Sequence, residues 1–196
     1  GDDDNAFYSE DDPYNLSPTA KQFMAGLLRH AAEITAITNQ TVNSYKRLVP
    51  GFEAPVHISW ARNNRSGLIR VPLPKRGNPS ATRIASRRPH PACNPYLAFS
   101  VILAAGLKGI SEGYELAPEA AANLFELDDA ALAALSIETL PQSLSDSLKV
   151  REQSTLVREA LGEHIFEWFL RNKRSEWRAY KTHVSQFEFD RYLRAL

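Results

Sequence analysis

Several features that would assign a chain to a particular class are scarce in this sequence. It has one cysteine, Cys93, so no disulfide can form within the chain, and a reducing compartment such as the cytoplasm is expected. It has no apolar run of about 18 residues, so we expect no membrane-spanning helix. Its 23 basic and 23 acidic residues cancel, so the net charge gives no reason to expect a nucleic-acid partner.

Acidic residues are absent from one long segment of the chain. No Asp or Glu occurs between Ala54 and Ser111, whereas nine basic residues do, which leaves the rest of the chain with a net charge of −9. Eight of the nine lie within residues 62–88, which we call the arginine belt. They are Arg62, Arg65, Arg70, Lys75, Arg76, Arg83, Arg87 and Arg88.

The composition of the arginine belt indicates an anionic ligand. Strand-like apolar residues such as Leu68, Ile69 and Val71 lie between the arginines, which is unusual for a merely solvated basic face. The planar guanidinium group suits carboxylate and phosphate, and a small anion is the simplest counter-charge. RNA is the competing ligand, but the three tryptophans are spread along the chain and show no stacking platform.

Alternating apolar residues predict three strands in the middle of the chain, at 56–60, 67–73 and 81–87. Three strands do not form a well-covered sheet alone, so we expect the arginines to lie against strands that this chain lacks. The predicted fold class is α+β, with a few antiparallel strands of an incomplete sheet flanked by helices.

Helical spacing flanks these strands on both sides. One helix is predicted from Pro18 to Thr38 behind the N-cap Ser17, followed by a loop over 41–55. A second helix, 96–110 behind Asn94-Pro95, is apolar almost all round and is expected to be buried. Two glycines in it, Gly106 and Gly109, indicate close packing.

The C-terminal part is predicted to be helical, with helices near 142–151, 153–181 and 185–195 and a break at Gly162. The chain then divides into three parts by composition. They are an acidic, turn-rich lead at 1–16, an active-site half-domain at 17–111, and a helical region at 112–196 that begins with an acidic surface excursion.

Three ordered motifs resemble those of bacterial type I glutamine synthetases. Residues 43–55, NSYKRLVPGFEAP, resemble that family's signature NSYKRLVPGYEAP. Residues 63–72 resemble its RNRS and IRIP motifs, and residues 82–97 resemble its TRVExRxPDPxxNPYLA segment. The resemblance covers nearly the whole chain from Asn5 and implies the C-terminal half of the family's catalytic domain. Within the family, segments such as 102–109 and 169–173 look most like those of actinobacterial paralogues.

The resemblance implies a cytoplasmic, ATP-dependent ligase of nitrogen metabolism that makes glutamine. ATP phosphorylates the γ-carboxylate of glutamate, and ammonia then displaces phosphate from the γ-glutamyl phosphate. The resemblance to actinobacterial paralogues also implies an alternative, a γ-glutamyl-amine ligase that uses an amine other than ammonia. The expected cofactors are ATP with Mg²⁺ or Mn²⁺, and the expected assembly is the family's double-ringed dodecamer.

The same resemblance assigns roles to residues, with Glu53 and Arg65 as the catalytic pair. Glu53 matches the flap glutamate, which closes the site and helps to deprotonate the incoming ammonium. Arg65 matches an arginine near the γ-phosphate and the glutamate. The remaining matches are Arg47 and Arg87 for glutamate, and Arg70 and Arg83 for the nucleotide phosphates.

Two positions depart from the family's pattern. The metal-binding glutamate two residues after Arg83 is Ala85 here, so the sequence provides no metal ligand there, and His90 stands where the motif usually has Asp. The histidines His57, His90 and His164 are not spaced as a metal set. In the segment 123–127, Phe125 stands where one branch of the family has an adenylylated tyrosine.

These departures leave three interpretations open. The first is a part of a glutamine synthetase-type ligase, inactive alone, because the family's other metal-binding residues precede this region. The second is a catalytically degenerate relative that binds ligand or assembles with active subunits, a possibility raised by Ala85. The third is an anion- or RNA-binding module that uses the arginine belt.

Overall fold

The computed structural model describes residues 5–49, 54–62, 66–72, 79–120, 124 and 127–193. These residues form helices around a small sheet, which confirms the predicted α+β class. In chain order the elements are α1 Pro18–Arg29, α2 Ala31–Thr38, α3 Val42–Arg47, β1 His57–Ala61, β2 Gly67–Arg70, a 3-10 turn Pro79–Ala81, β3 Ala85–Ser86, α4 Pro95–Ser111, α5 Asp129–Ala134, α6 Leu144–Glu152, α7 Thr155–Lys181 and α8 Gln186–Tyr192.

The first predicted helix is two helices that meet at His30. Its start is as predicted, because Ser17 Oγ accepts a hydrogen bond from the Ala20 N–H at 3.1 Å. At His30 the backbone leaves helical geometry, and the His30 ring lies 2.7 Å from a carboxylate oxygen of Glu33. The prediction of one helix is wrong because apolar spacing continues across the break, so periodicity alone does not show it.

The segment predicted as a loop over 41–55 contains α3. Its first turn is capped by Thr41 and Ser44, whose hydroxyls lie 2.9 Å apart, while the Thr41 N–H donates to Ser44 Oγ. The prediction of a loop here is wrong because a helix of six residues is too short to show a hydrophobic period. Residues 50–53 lie outside the described residues.

The three strands form one sheet in the order β1–β2–β3. The predicted antiparallel arrangement holds for β2 and β3, but β1 and β2 run parallel. The prediction is wrong for β1 because alternation in a sequence indicates where strands lie and not in which direction neighbouring strands run. The third strand is also shorter than predicted, since residues 79–81 form a 3-10 turn and the Thr82 carbonyl accepts from the Asn5 amide.

Glycines allow α1 and α4 to approach closely, as predicted for Gly106 and Gly109. A Cβ atom on Gly109 would lie 2.2 Å from the Gln22 carbonyl oxygen, and one on Gly106 would lie 2.1 Å from the Phe23 ring. Gly26 on α1 is equally close to the backbone of α4. At these glycines the backbones of α1 and α4 are therefore in direct contact.

Helix α4 is buried on one face only. That face packs against α1, α2 and α7. Its opposite face exposes four large apolar side chains, which we call the α4 stripe: Tyr96 (82%), Phe99 (70%), Leu103 (54%) and Leu107 (51%). The prediction of a helix buried all round is wrong because no other described residue covers this face.

The C-terminal helices lie close to their predicted positions. Gly162 interrupts α7 with φ 73° and ψ 155°, a conformation that only glycine adopts readily. Arg151 on α6 is buried and has its guanidinium 4.2 Å from the centroid of the Phe166 ring. Among the described residues, no helix has both the length and the apolar character needed to cross a membrane.

Candidate functional site

The pairing of β2 with β3 decides which side chains share a face. Arg70 lies opposite Ala85, and Ile69 lies opposite Ser86. Directly opposed residues of an antiparallel pair point to the same side of the sheet. Ile69 is buried and Arg70 is exposed, so the Arg70–Ala85 face, which we call the open face, is open at its Arg70 end, although Leu68 on the same face is buried.

Arg87 continues this pairing beyond the end of β3. Its N–H donates to the Leu68 carbonyl at 3.0 Å, which keeps the chain extended beside β2. Alternation along extended backbone then places Arg87 on the same face as Arg70 and Ala85. Two of the predicted site arginines are thus brought together on one face of the sheet.

Alternation sends Arg88 to the other face. Its side chain is 1% exposed, and burial lowers the pKa of its guanidinium to about 10. No atom of the described residues accepts a hydrogen bond from its Nε. No role was predicted for Arg88, because nothing in the run Arg87-Arg88 distinguishes the two residues except the strand period.

Arg47 reaches the same segment from α3. It is the last residue of that helix, and its Nη1 lies 3.5 Å from the Pro89 carbonyl oxygen. The His90 N–H donates to the Thr38 carbonyl at 2.9 Å, which holds residues 87–90 against the end of α2. The fold thereby brings Arg47 next to the segment that begins with Arg87, the pair predicted to contact glutamate.

Two other belt arginines have local roles. Arg83 is exposed and donates to the Ala81 carbonyl at 3.3 Å, beside the 3-10 turn. Arg62 pairs with Glu119 at 3.4 Å and stacks on the Tyr14 ring at 4.1 Å from its centroid. Glu119 thus balances the charge of Arg62. The arginine belt has no acidic residue within its own segment, but the fold brings this one to it.

Both predicted catalytic residues, Glu53 and Arg65, lie outside the described residues, as does Phe125. Their roles stay predictions. The neighbouring Ser66 is buried, and its hydroxyl accepts from the Leu124 N–H at 3.2 Å. This bond holds the start of β2 against the acidic excursion.

The described residues do not fit a metal ion. Nowhere among them do three His, Cys, Asp or Glu side chains come together as a possible ligand set. Ala85 offers only a methyl group on the open face. Mg²⁺ and Mn²⁺ prefer carboxylate oxygens, so any carboxylates that hold them in this site come from elsewhere.

A cavity of about 410 Å³ lies beside β1. Its walls are mostly apolar and include Ile58, Trp60 and Leu135. The predicted site residues that the structure describes do not line it. The cavity is therefore separate from the arginine-bearing face.

Known proteins similar to this chain share one family. Residues 1–192 match the family described as the glutamine synthetase catalytic domain. The glutamine synthetase of Mycolicibacterium smegmatis is 53% identical over 191 residues, which is 97% of this chain and 43% of that protein. The glutamine synthetase of Thermotoga maritima is 46% identical over the same shares. The chain thus spans less than half the length of these relatives.

Solved structures support the same relationship. A structure titled "Apo GmaS without ligand" superimposes with a TM-score of 0.81 at 35% identity, covering 97% of this chain and 41% of that one. A second, titled "GmaS/ADP complex-Conformation 1", gives a TM-score of 0.82 at 34% identity, covering 97% and 43%. At these identities and scores the shared fold extends over almost all of this chain.

Proposed function

Because the chain belongs to the glutamine synthetase family, we propose that it supplies the arginine-bearing part of the active site of an ATP-dependent carbon–nitrogen ligase. The observation that carries this proposal is the shared open face of Arg70 and Arg87 beside Arg47, in a segment without carboxylates. Such a face is suited to bind the carboxylates of glutamate and the phosphates of ATP.

In the proposed reaction, the γ-phosphoryl group of ATP moves to the γ-carboxylate of glutamate, and ADP leaves. Ammonia then attacks the acyl carbon, loses a proton and expels inorganic phosphate, which forms glutamine. Negative charge concentrates at the transferring group, so positioned cations lower the barrier. Arg70 and Arg83 hold the nucleotide phosphates, and Arg47 and Arg87 hold glutamate.

Glu53 and Arg65 complete the proposed chemistry. Arg65 neutralises charge between the γ-phosphate and glutamate. Glu53 takes the proton from the incoming ammonium and, as part of a flap, keeps water away from the acyl phosphate. Mg²⁺ or Mn²⁺ supplies further charge neutralisation when bound, by ligands that the described residues of this chain do not include.

The acceptor is proposed to be ammonia, in a cytoplasmic homo-oligomer. The curated relatives called glutamine synthetases are more similar to this chain than the GmaS structures are, at 53% against 35% identity. The similarity to GmaS keeps a γ-glutamyl-amine ligase as the second candidate. A panel of amines assayed with glutamate and ATP distinguishes the two, since only the second prefers a larger amine.

Calorimetric titration of an ATP analogue into this chain tests the proposal. Arg70→Ala is expected to weaken binding about tenfold, since it removes a cation from the phosphate-binding face. Arg171→Ala is the matched control, because Arg171 is an exposed arginine on α7 that lies against the Trp168 ring. Equal effects of the two substitutions would contradict the proposal. Steep salt dependence with no preference for ATP or glutamate would favour the RNA interpretation instead.

A further inference from the structure

The side chain of Asn5 joins the N-terminal lead to the turn that precedes Arg83. Its Nδ2 donates to the Thr82 carbonyl at 2.8 Å and lies 3.5 Å from the Ser80 carbonyl oxygen. Carbonyl oxygens only accept hydrogen bonds, so the donor side of the amide faces the turn. The bond to Thr82, which we call the Asn5 anchor, connects residues 77 positions apart in the chain and holds the end of the 3-10 turn 79–81.

The lead around Asn5 is itself fixed to the helical core. The Phe7 N–H donates to Asn5 Oδ1 at 3.0 Å, a local turn that orients the amide. The Phe7 ring lies 5.4 Å from the Phe23 ring, centroid to centroid, and the Phe7 carbonyl accepts from the Ser17 N–H at 2.9 Å. Phe23 in turn lies against α4 at Gly106, where a Cβ atom would be 2.1 Å from its ring. A continuous set of contacts therefore runs from the packing of α1 on α4 to the Asn5 amide.

Arg83 follows the anchored residue directly. Thr82 is buried, and a carbonyl group that loses its donor in such a place is costly, so the Asn5 anchor opposes any movement of Thr82. On the other side of Arg83, β3 begins at Ala85, which pairs with β2. The backbone of Arg83 is thus restrained from both sides, while its side chain is exposed and donates to the Ala81 carbonyl at 3.3 Å.

We propose that Asn5 is a positioning residue for Arg83 and thereby raises the affinity of the site for the phosphates of ATP. This inference rests on the proposed function, which gives Arg83 that ligand. A cation that is already in place binds a phosphate more tightly than one that must be ordered on binding, because the ordering cost is absent. No role was predicted for Asn5, since it lies in the lead, far along the chain from the arginine belt.

A double-mutant cycle tests the inference, measured by calorimetric titration of adenylyl imidodiphosphate, a non-hydrolysable ATP analogue, into the chain. Asn5→Ala is expected to weaken binding about threefold and Arg83→Ala about tenfold. Because Asn5 acts through Arg83, Asn5→Ala is expected to have no further effect in the Arg83→Ala chain. A merely structural role gives the same loss in both backgrounds and overturns the inference, as does an unchanged affinity of Asn5→Ala. Asn172→Ala, at an exposed asparagine on α7, is the matched control and leaves the affinity unchanged.

Amide hydrogen exchange of residues 80–83 tests the Asn5 anchor without any nucleotide. Asn5→Ala is expected to raise the exchange rate there about threefold or more, whereas Asn172→Ala leaves it unchanged. Unchanged exchange in Asn5→Ala overturns the anchor and the inference with it. Asn5→Ser is the second variant if the melting temperature shows that Asn5→Ala does not fold, since serine can still accept from the Phe7 N–H but is too short to reach Thr82. A wild-type chain that binds no analogue, with faster exchange in Asn5→Ala, contradicts the proposed function and leaves the anchor intact.

Discussion

Arg87 and Arg88 are adjacent in the chain and lie in opposite environments. Extended backbone turns successive side chains to opposite faces, so Arg87 joins Arg70 on the open face while Arg88 enters the interior. The lowered pKa of Arg88 has burial as its cause, and no described acidic side chain forms an ion pair with it. With respect to the described residues, the burial of this charge is therefore unfavourable.

Arg88→Met is expected to raise the free energy of unfolding by about 1–3 kcal/mol, because it removes a buried charge that no acidic side chain of the described residues balances. Between pH 10 and the ordinary pKa of arginine, the unfolded wild-type chain binds more protons than the folded chain, so wild-type stability rises with pH there. The gain from the substitution is thus full below pH 10 and shrinks above it. Urea unfolding at pH 7, 9 and 10.5 measures this, and a wild-type chain as stable as the variant at pH 7 would contradict it.

Ala85 is the residue that most limits metal binding in the proposed site. It lies directly opposite Arg70, so a carboxylate at this position would stand beside the arginine that is proposed to bind the nucleotide phosphates. Ala85→Glu, in the chain assembled with the preceding part of the family's catalytic domain, is expected to raise metal-dependent activity. Ala85→Gln is the control, since it has the same length and no charge. Equal activity of the two variants would show that position 85 does not hold the metal.

At the scale of elements, the contact between α1 and α4 helps to position residues 87–94, the segment that carries Arg87. Gly26, Gly106 and Gly109 let the two helices touch, and α4 then fixes the position of residues 87–94 that precede it. Asn94 starts α4, since its side chain accepts hydrogen bonds from the Tyr96 and Leu97 N–H groups. The packing of α1 against α4 thus contributes to the position of Arg87.

Gly109→Ala is expected to lower the free energy of unfolding by about 1–3 kcal/mol, because its Cβ would overlap the Gln22 carbonyl and force the helices apart. Leu107→Ala, on the exposed face of the same helix, is the control and is expected to change it much less. Chemical denaturation of both variants measures the difference. A Gly109→Ala chain as stable as the control would show that the helices separate easily.

At the scale of the whole molecule, charge is separated between two regions. The belt is basic and the rest of the chain is acidic, but the described contacts between them are few and include the pair of Arg62 with Glu119. Among the belt arginines that the structure describes, Arg70 and Arg83 are exposed to solvent. This separation is the property that makes the chain suited to be one part of a composite site.

The chain alone is expected to form no glutamine from glutamate, ATP and ammonia. The described residues include no metal-binding cluster, so charge at the transferring phosphoryl group is incompletely neutralised. Phosphate release with Mg²⁺ or Mn²⁺ measures this, with the full-length mycobacterial relative as the positive control. Turnover by the chain alone that is lost in Arg70→Ala would show that this region is catalytically sufficient.

Local features of the site region could be predicted because their causes are local. The caps at Ser17 and Asn94 and the break at Gly162 depend on a few neighbouring residues, and all three are found where expected. The arginine belt is visible in the sequence because it is defined by the absence of acids. The pairing of Arg62 with Glu119 was not predicted, since 57 residues separate the two in the chain.

The amino-acid sequence by itself determined the family, the caps, the three strand segments and the segregation of charge, because each depends on residue type and spacing. The tertiary structure alone decided the break at His30, the direction of β1, the burial of Arg88 and the exposure of the α4 stripe. These four depend on which surfaces meet after folding. A period of two or of 3.6 residues shows which side chains share a face, but the packing partner decides whether that face lies in the core or in solvent.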